Sequence, residues 1–383
     1  MERDWTEFLY PIWEGAQVNG ESICFCEDEA GQIDGGNLLY TPTRILSVQS
    51  ADLERTYEEG RDYRVEGRRL IPIPGGRLPV YAGTQYCPIY TGAPETNWLR
   101  TADGRRYLAV APEIQRHQLW VTYTHQEKWQ GPHVPIQIDR LPRTLARLRE
   151  GKALTIAFLG DSITGGWDAS GQHEHIVRGD PPEPREAITA RAPYMPAWAE
   201  LLVRQLRRVY DHSGIKKIND GCGGQTSQWG RRHAKMLMEQ ARPDLLILGF
   251  GMNQLHNDRT AFGADIRAIM ETTREICPEA EFLLFSSMPP NTLAANFQGH
   301  KLAEQEQALY DIRRELSGWP IAVAPVFEMF SFLLKAGKIY PELTGNNVNH
   351  PNDFSARIYA QVLLYTLGCT GQSCETVHKK RNT

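Results

Sequence analysis

The stretch "LTIAFLGDSITGGW", residues 154–167, decides the fold. A short apolar run ends in Gly160, Asp161 and Ser162, and Gly165 and Gly166 follow at once. A run of this kind reads as a strand covered on both faces. Three more occur downstream: "DLLILGFG" (244–251), "EFLLFSS" (281–287) and "IAVAPV" (321–326). Helical patterns lie between them. Trp198, Leu202, Leu206 and Val209 fall on one face, and "FSARIYAQVLLYTL" (354–367) continues the helical grammar to the end. Strands alternating with helices predict a parallel sheet in a three-layer α/β/α domain.

Upstream the grammar differs. "RILSVQS" (44–50), "YRVEGRRLIPIPGG" (63–76) and "RHQLWVTYTH" (116–125) alternate, and glycine and proline punctuate them at Gly35-Gly36, Pro74-Gly75-Gly76 and Gly131-Pro132. This predicts an all-β sandwich or jelly roll. With 383 residues the chain exceeds what one core usually supports, so two domains are expected, 1–145 and 150–375, joined near "DRLPRTLARLREGKA" (139–153). No low-complexity linker separates them, so the two halves are expected to pack together.

Composition narrows the function. The formal net charge is −4, from 46 acids and 42 bases, which leaves no basic footprint for nucleic acid. Arg204, Arg207 and Arg208 read as a solvated helix face. No run is long and apolar enough for a membrane span, and the N-terminus lacks an apolar core of signal-peptide length, so the expectation is a cytoplasmic protein without membrane partners. Seven scattered cysteines (24, 26, 87, 222, 277, 369 and 374) are expected to be reduced thiols, and no metal or cofactor is expected.

Ser162 lies just past the carboxyl end of a predicted strand, where open parallel sheets bind ligands. Taken alone it could be a helix N-cap. A serine hydroxyl becomes a nucleophile only beside a base, and three further segments answer that need. "GDSIT" (160–164), "NDGCGGQTSQWG" (219–230), "GFGMNQ" (249–254) and "NNVNHPND" (346–353) together resemble the four sequence blocks of the SGNH, or GDSL, hydrolases, in order and over roughly 152–370.

The resemblance implies Ser162 as nucleophile and His350 as general base. It also implies an oxyanion hole from the Ser162 and Gly224 backbone N–H groups and the Asn253 side chain. Asp161 is expected to be a hydrogen-bonding brace, and Gln254, where the family often has Asp, to be structural.

One position departs from the family pattern. The acid usually found three residues before the histidine is Asn347 here. An amide can hold one imidazole tautomer but cannot stabilise the imidazolium with a full charge, and the matching change in a serine protease costs about four orders of magnitude. Three solutions stand open: a Ser-His dyad oriented by Asn347 or a backbone carbonyl, charge from Asp353, or an acid from elsewhere such as Glu342. Asp353 also sits where a helix N-cap is expected.

Residues 165–196 are polar, proline-bearing and long for a loop, and read as a rim or lid over the site. His173 and His175 within it read as solvated. The loop's few large apolar residues point to a small acyl group and a polar partner, and a β-rich first domain beside an SGNH domain resembles two-domain carbohydrate acetylesterases. The expected activity is therefore a serine carboxylic ester hydrolase that deacetylates oligosaccharide or other small-molecule esters. Trp167 and Trp129 are candidate sugar-stacking residues, each equally suited to the core. The alternatives are a lipase or lysophospholipase of the same fold, and a carbohydrate-binding protein with a decayed site. Oligomeric state is unreadable, although exposed β edges leave self-association open.

Overall fold

In the computed structural model, residues 3–28, 30–82, 98–110, 112–176 and 185–369 are described. The apolar runs form one parallel sheet, with β1 Leu154–Gly160, β2 Ile215–Gly221, β3 Leu245–Phe250, β4 Glu281–Ser286 and β5 Ile321–Ala324. Their order is β2-β1-β3-β4-β5. Register aligns Gly160 with Gly221 on one side and with Gly249 on the other. The chain leaves β1 toward one edge and crosses to β3 on the opposite side of β1. That reversal is the switch point at which α/β sheets open a crevice beyond their carboxyl ends.

Alternation along β1 sorts its side chains into two layers. Ala157 and Leu159 join Leu246, Leu248, Phe282 and Leu284 under one set of helices. That set comprises Ser227–Ala241, Arg259–Ile276 and Leu302–Glu315. Ile156 and Phe158 face the other way and pack with Trp198, Leu202, Leu206 and Tyr359. The expected face of Trp198, Leu202, Leu206 and Val209 is buried in the helix Trp198–Val209, which packs on the last helix, Asp353–Thr366.

The N-terminal region is all-β, built from small sheets. Gln17–Ile23, Leu119–Thr124 and Arg44–Ser50 pair antiparallel, with Leu119–Thr124 central. Phe25–Glu27 lies between Ile33–Asp34 and Val80–Ala82. The region does not stand apart. Phe8, Trp120 and Val121 belong to the same buried cluster as Phe158, Trp198, Phe354 and Tyr359. Buried polar groups fasten the join. Arg357 donates to the carbonyls of Asn19 and Gly20 and sits 4.4 Å from the centre of the Trp120 ring. Lys338 reaches Glu21 at 2.5 Å and the carbonyls of Ser22 and Asn37.

Cys24, Cys26, Cys222, Cys277 and Cys369 are buried free thiols. Cys87 and Cys374 lie outside the described residues, as do residues 177–184 of the expected rim. The flanks of that rim, 174–176 and 185–187, pair as a short antiparallel hairpin. Among the described residues no helix is long and apolar enough to cross a membrane.

Candidate active site

Strand β1 delivers Ser162 to the switch point. Asp161 caps the one-turn helix Ser162–Gly165, accepting the Ile163 N–H at 3.0 Å. The small residues around it are required by space. A Cβ on Gly160 would lie 2.1 Å from Thr164 Oγ1 and 2.2 Å from the Gly249 carbonyl oxygen. A Cβ on Gly221 would meet the Gly165 nitrogen at 2.2 Å. The helix thus seats directly on the ends of β1, β2 and β3. Asp161 is fully buried, and that burial raises its carboxyl to about 6 despite the N–H groups turned toward it.

His350 comes from the turn between the short helix Tyr340–Leu343 and the final helix. Asn346 Oδ1 accepts the backbone N–H groups of Val348, Asn349 and His350 at 3.0, 3.0 and 3.2 Å, which folds the turn. The His350 carbonyl accepts the Gly345 N–H at 2.8 Å. This geometry sets His350 Nε2 2.9 Å from Ser162 Oγ. The expected pair of serine and histidine is therefore brought together across 188 residues.

The partner of the second ring nitrogen is Asp168, whose Oδ2 lies 2.8 Å from His350 Nδ1. This fills the third open reading, an acid from elsewhere, with a residue other than Glu342, and sets the other two aside. Asn347 is a left-handed turn residue, φ +67°, whose carbonyl accepts from Asn291 Nδ2 at 2.9 Å. Asp353 is buried at the start of the last helix and accepts the Ser170 N–H at 2.8 Å. The cap there is Asn352, which accepts from Ser355. Glu342 is spent on the N–H groups of Cys24, Gly36 and Ile339, and its burial raises its carboxyl to about 7. A backbone-oriented dyad is likewise ruled out by the carboxylate at Nδ1.

Asp168 follows the nucleophile by six positions. The helix closes at Gly166 in the left-handed region, φ +82°, and Asp168 itself has φ +68°. These two reversals carry the carboxylate back under the histidine. The sequence signal was present as "GGWD", directly after the nucleophile, but a search around His350 does not look there.

The three expected oxyanion donors follow the carboxyl ends of β1, β2 and β3 in the chain. Ser162 opens its helix, where the first N–H groups have no intrahelical acceptor. Gly224 has φ +71°, a conformation glycine adopts without strain. Asn253 Nδ2 donates to the Gln225 carbonyl at 2.8 Å, which fixes the amide and leaves its second hydrogen for another acceptor. Gln254 Nε2 donates to Ser227 Oγ at 2.6 Å and its Oε1 accepts the Ser227 N–H at 2.5 Å.

The two tryptophans part company. Trp167 lies with its ring centre 5.5 Å from that of His350, in an edge-on arrangement, and packs on Gly223. Trp129 is not a surface platform. It packs against Phe332, ring centres 4.7 Å apart, with Tyr40 and Trp13 around it, and its indole N–H is taken by the Pro132 carbonyl. His173 is exposed, with Nδ1 near the Gly171 carbonyl, and nothing is described of the His175 side chain. Among the described residues no cluster of histidine, cysteine, aspartate or glutamate could hold a metal ion.

A serine, a histidine and a carboxylate linked in series at the carboxyl edge of a parallel sheet define a class, the serine hydrolases with an α/β fold. Residues 158–358, more than half of the chain, match the model of the GDSL-like lipase/acylhydrolase family. The chain belongs to that family and carries an SGNH hydrolase domain. Among solved structures it is similar to a two-domain esterase (CEX) active on acetylated mannans, at 22% identity and a TM-score of 0.45, over 60% of this chain and 52% of that one. The chain thus spans about half the length of that esterase. It is also similar to Axe2, an acetylxylan esterase from Geobacillus stearothermophilus, at 18% identity and a TM-score of 0.42, over 57% of this chain and 96% of that one. No curated protein sequence matches it.

Proposed function

We propose that the chain is a serine acetylesterase acting on acetylated oligosaccharides, with Ser162 as nucleophile, His350 as general base and Asp168 as the charge behind it. The observation that carries this reading is the unbroken series Asp168–His350–Ser162, at 2.8 and 2.9 Å. His350 Nε2 takes the Ser162 proton as Oγ attacks the ester carbonyl. Asp168 holds the tautomer with Nε2 free and stabilises the imidazolium that forms. The alkoxide develops toward the N–H groups of Ser162 and Gly224 and the Asn253 amide, each able to contribute about 3 kcal/mol. Collapse expels the sugar hydroxyl, protonated by His350. Water then releases acetate from Ser162 by the same route in reverse.

The substrate class is argued from the surroundings. Trp167 places an indole beside the imidazole, where a sugar ring can pack on it. Gln172 and His173, within the rim, offer polar contacts to a sugar. Purified protein should release acetate from an acetylated xylo-oligosaccharide and from 4-nitrophenyl acetate, with kcat/KM falling as the acyl chain lengthens. Ser162→Ala should abolish both activities. Rising activity toward acyl chains of eight or more carbons would replace the acetylesterase reading with a lipase, and full activity in Ser162→Ala would remove the catalytic assignment.

A further inference from the structure

We infer that Gln115, a residue of the N-terminal region, is a positioning residue for this reaction, locking the backbone of Asp168 to the loop that carries His350. The inference rests on the catalytic reading proposed above. Gln115 lies on a short 3-10 turn, Pro112–His117, and only 6% of it is exposed. Each of its side-chain polar atoms is used. Nε2 donates to the Gly345 carbonyl at 2.9 Å and reaches the Asp168 carbonyl at 3.3 Å. Oε1 accepts from Arg191 Nε at 3.0 Å and from Nη2 at 2.5 Å. The same Nη2 donates to the Asp168 carbonyl at 2.9 Å. One amide and one guanidinium therefore clasp the acid's main chain from two directions.

Why the acid needs a clasp follows from its conformation. Asp168 holds φ +68°, a region that a non-glycine residue keeps only where its surroundings over-determine it. Left alone, the turn after Gly166 could relax and carry the carboxylate away from Nδ1. Gly345 supplies the other half. Its carbonyl takes the Gln115 amide and its N–H reaches the His350 carbonyl. One residue of the N-terminal region is thus a single bond from the acid's backbone and two bonds from the histidine's. Next to it, Gln118 Nε2 donates to the carbonyls of Pro341 and Thr344 at 2.7 and 2.8 Å, pinning the start of the same loop. Within the catalytic region Arg191 also holds the Asp168 carbonyl and Asn346 folds the His350 turn; Gln115 adds the tie that joins the two loops, without touching the reacting atoms.

The test uses the full chain with 4-nitrophenyl acetate. Gln115→Ala should lower kcat by about 10- to 100-fold, the scale on which small misplacements act, with KM within about twofold. The acid limb of its kcat/KM–pH profile should shift, because the imidazole loses its fixed carboxylate. Gln115→Glu, ionised at pH 8, keeps the acceptor for Arg191 but cannot donate to the two carbonyls, and should show the same loss. It also serves if the alanine variant fails to fold. In Asp168→Ala, adding Gln115→Ala should cost little more, since the backbone that the clasp fixes then carries no carboxylate to position. Wild-type kcat and pH profile in folded Gln115→Glu, or fully multiplicative losses in the double variant, would overturn the inference. If Ser162→Ala stays active, the catalytic reading falls first, so the two failures are told apart.

Discussion

Asp168 and His350 stand 182 residues apart in the chain and 2.8 Å apart at Oδ2 and Nδ1. The contact predicts which acid matters. Asp168→Asn should lower kcat/KM by about three to four orders of magnitude, the scale of a lost triad charge, with little change in melting temperature. Asp353→Ala should behave oppositely. It strands the buried Ser170 N–H, at a cost of about 1–3 kcal/mol, and should lower the melting temperature while the folded fraction keeps most of its rate. Ester hydrolysis and thermal melts on both variants decide the matter; a thousandfold loss in folded Asp353→Ala would reverse the assignment.

Gly345 should be intolerant of the smallest side chain. A Cβ there would lie 2.6 Å from Asp168 Cβ and 2.4 Å from Gln115 Nε2. The acid must then move back from the imidazole. Gly345→Ala should lose about 10- to 100-fold in kcat while far-ultraviolet circular dichroism stays native. Unchanged kcat would mean that the two loops are free to separate at that contact.

The architecture was largely readable because it rests on local pattern. Apolar runs such as 154–160 and the face of Trp198, Leu202, Leu206 and Val209 each carry their own period, and the strand and helix formed where that period lay. Ser162 and His350 were readable because each sits in a short block beside a defined element. Asp168 was not, because its role depends on two left-handed residues, Gly166 and Asp168, reversing the chain after one helical turn. Nothing in local periodicity encodes that reversal. Trp129 misled for a related reason. "HQEKWQGPH" is polar, yet Phe332, Trp13 and Tyr40 arrive from distant segments to cover the indole.

Asp161 should make stability depend on pH. Burial raises its folded value to about 6, against 3.8 for the unfolded chain. Between those values the folded state holds a proton that the unfolded state lacks. Its contribution is therefore fully present below about 3.8 and is lost as pH rises through about 6. The loss is on the order of 2–3 kcal/mol, at 1.36 kcal/mol per pKa unit. Asp161→Asn keeps an acceptor for the Ile163 N–H and cannot ionise. Relative to the unmodified protein, its melting temperature should therefore be higher at pH 8 than at pH 5. A difference that is the same at both pH values would show that Asp161 does not titrate there.

Arg357 should be the strongest single tie between the two regions. It is 1% exposed and donates to the carbonyls of Asn19 and Gly20. Its guanidinium also lies among the rings of Trp120, Phe8 and Phe354, at 4.4, 5.1 and 5.4 Å. Arg357→Ala removes the guanidinium donors from the Asn19 and Gly20 carbonyls and opens a cavity between the last helix and the N-terminal sheet. The combined cost should be about 3–5 kcal/mol, or a fall of roughly 4–6 °C in melting temperature for a chain of this size. Arg357→Lys keeps the charge but cannot reach both carbonyls with a planar fork while stacking on Trp120, so it should recover less than half of the loss. Differential scanning calorimetry of both variants checks this, and hydrogen exchange locates it, with faster exchange expected first in Gln17–Ile23, the strand whose carbonyls Arg357 holds. A melting temperature within about 2 °C of the unmodified protein in Arg357→Ala would mean that the other contacts, Lys338 with Glu21 among them, join the regions without it.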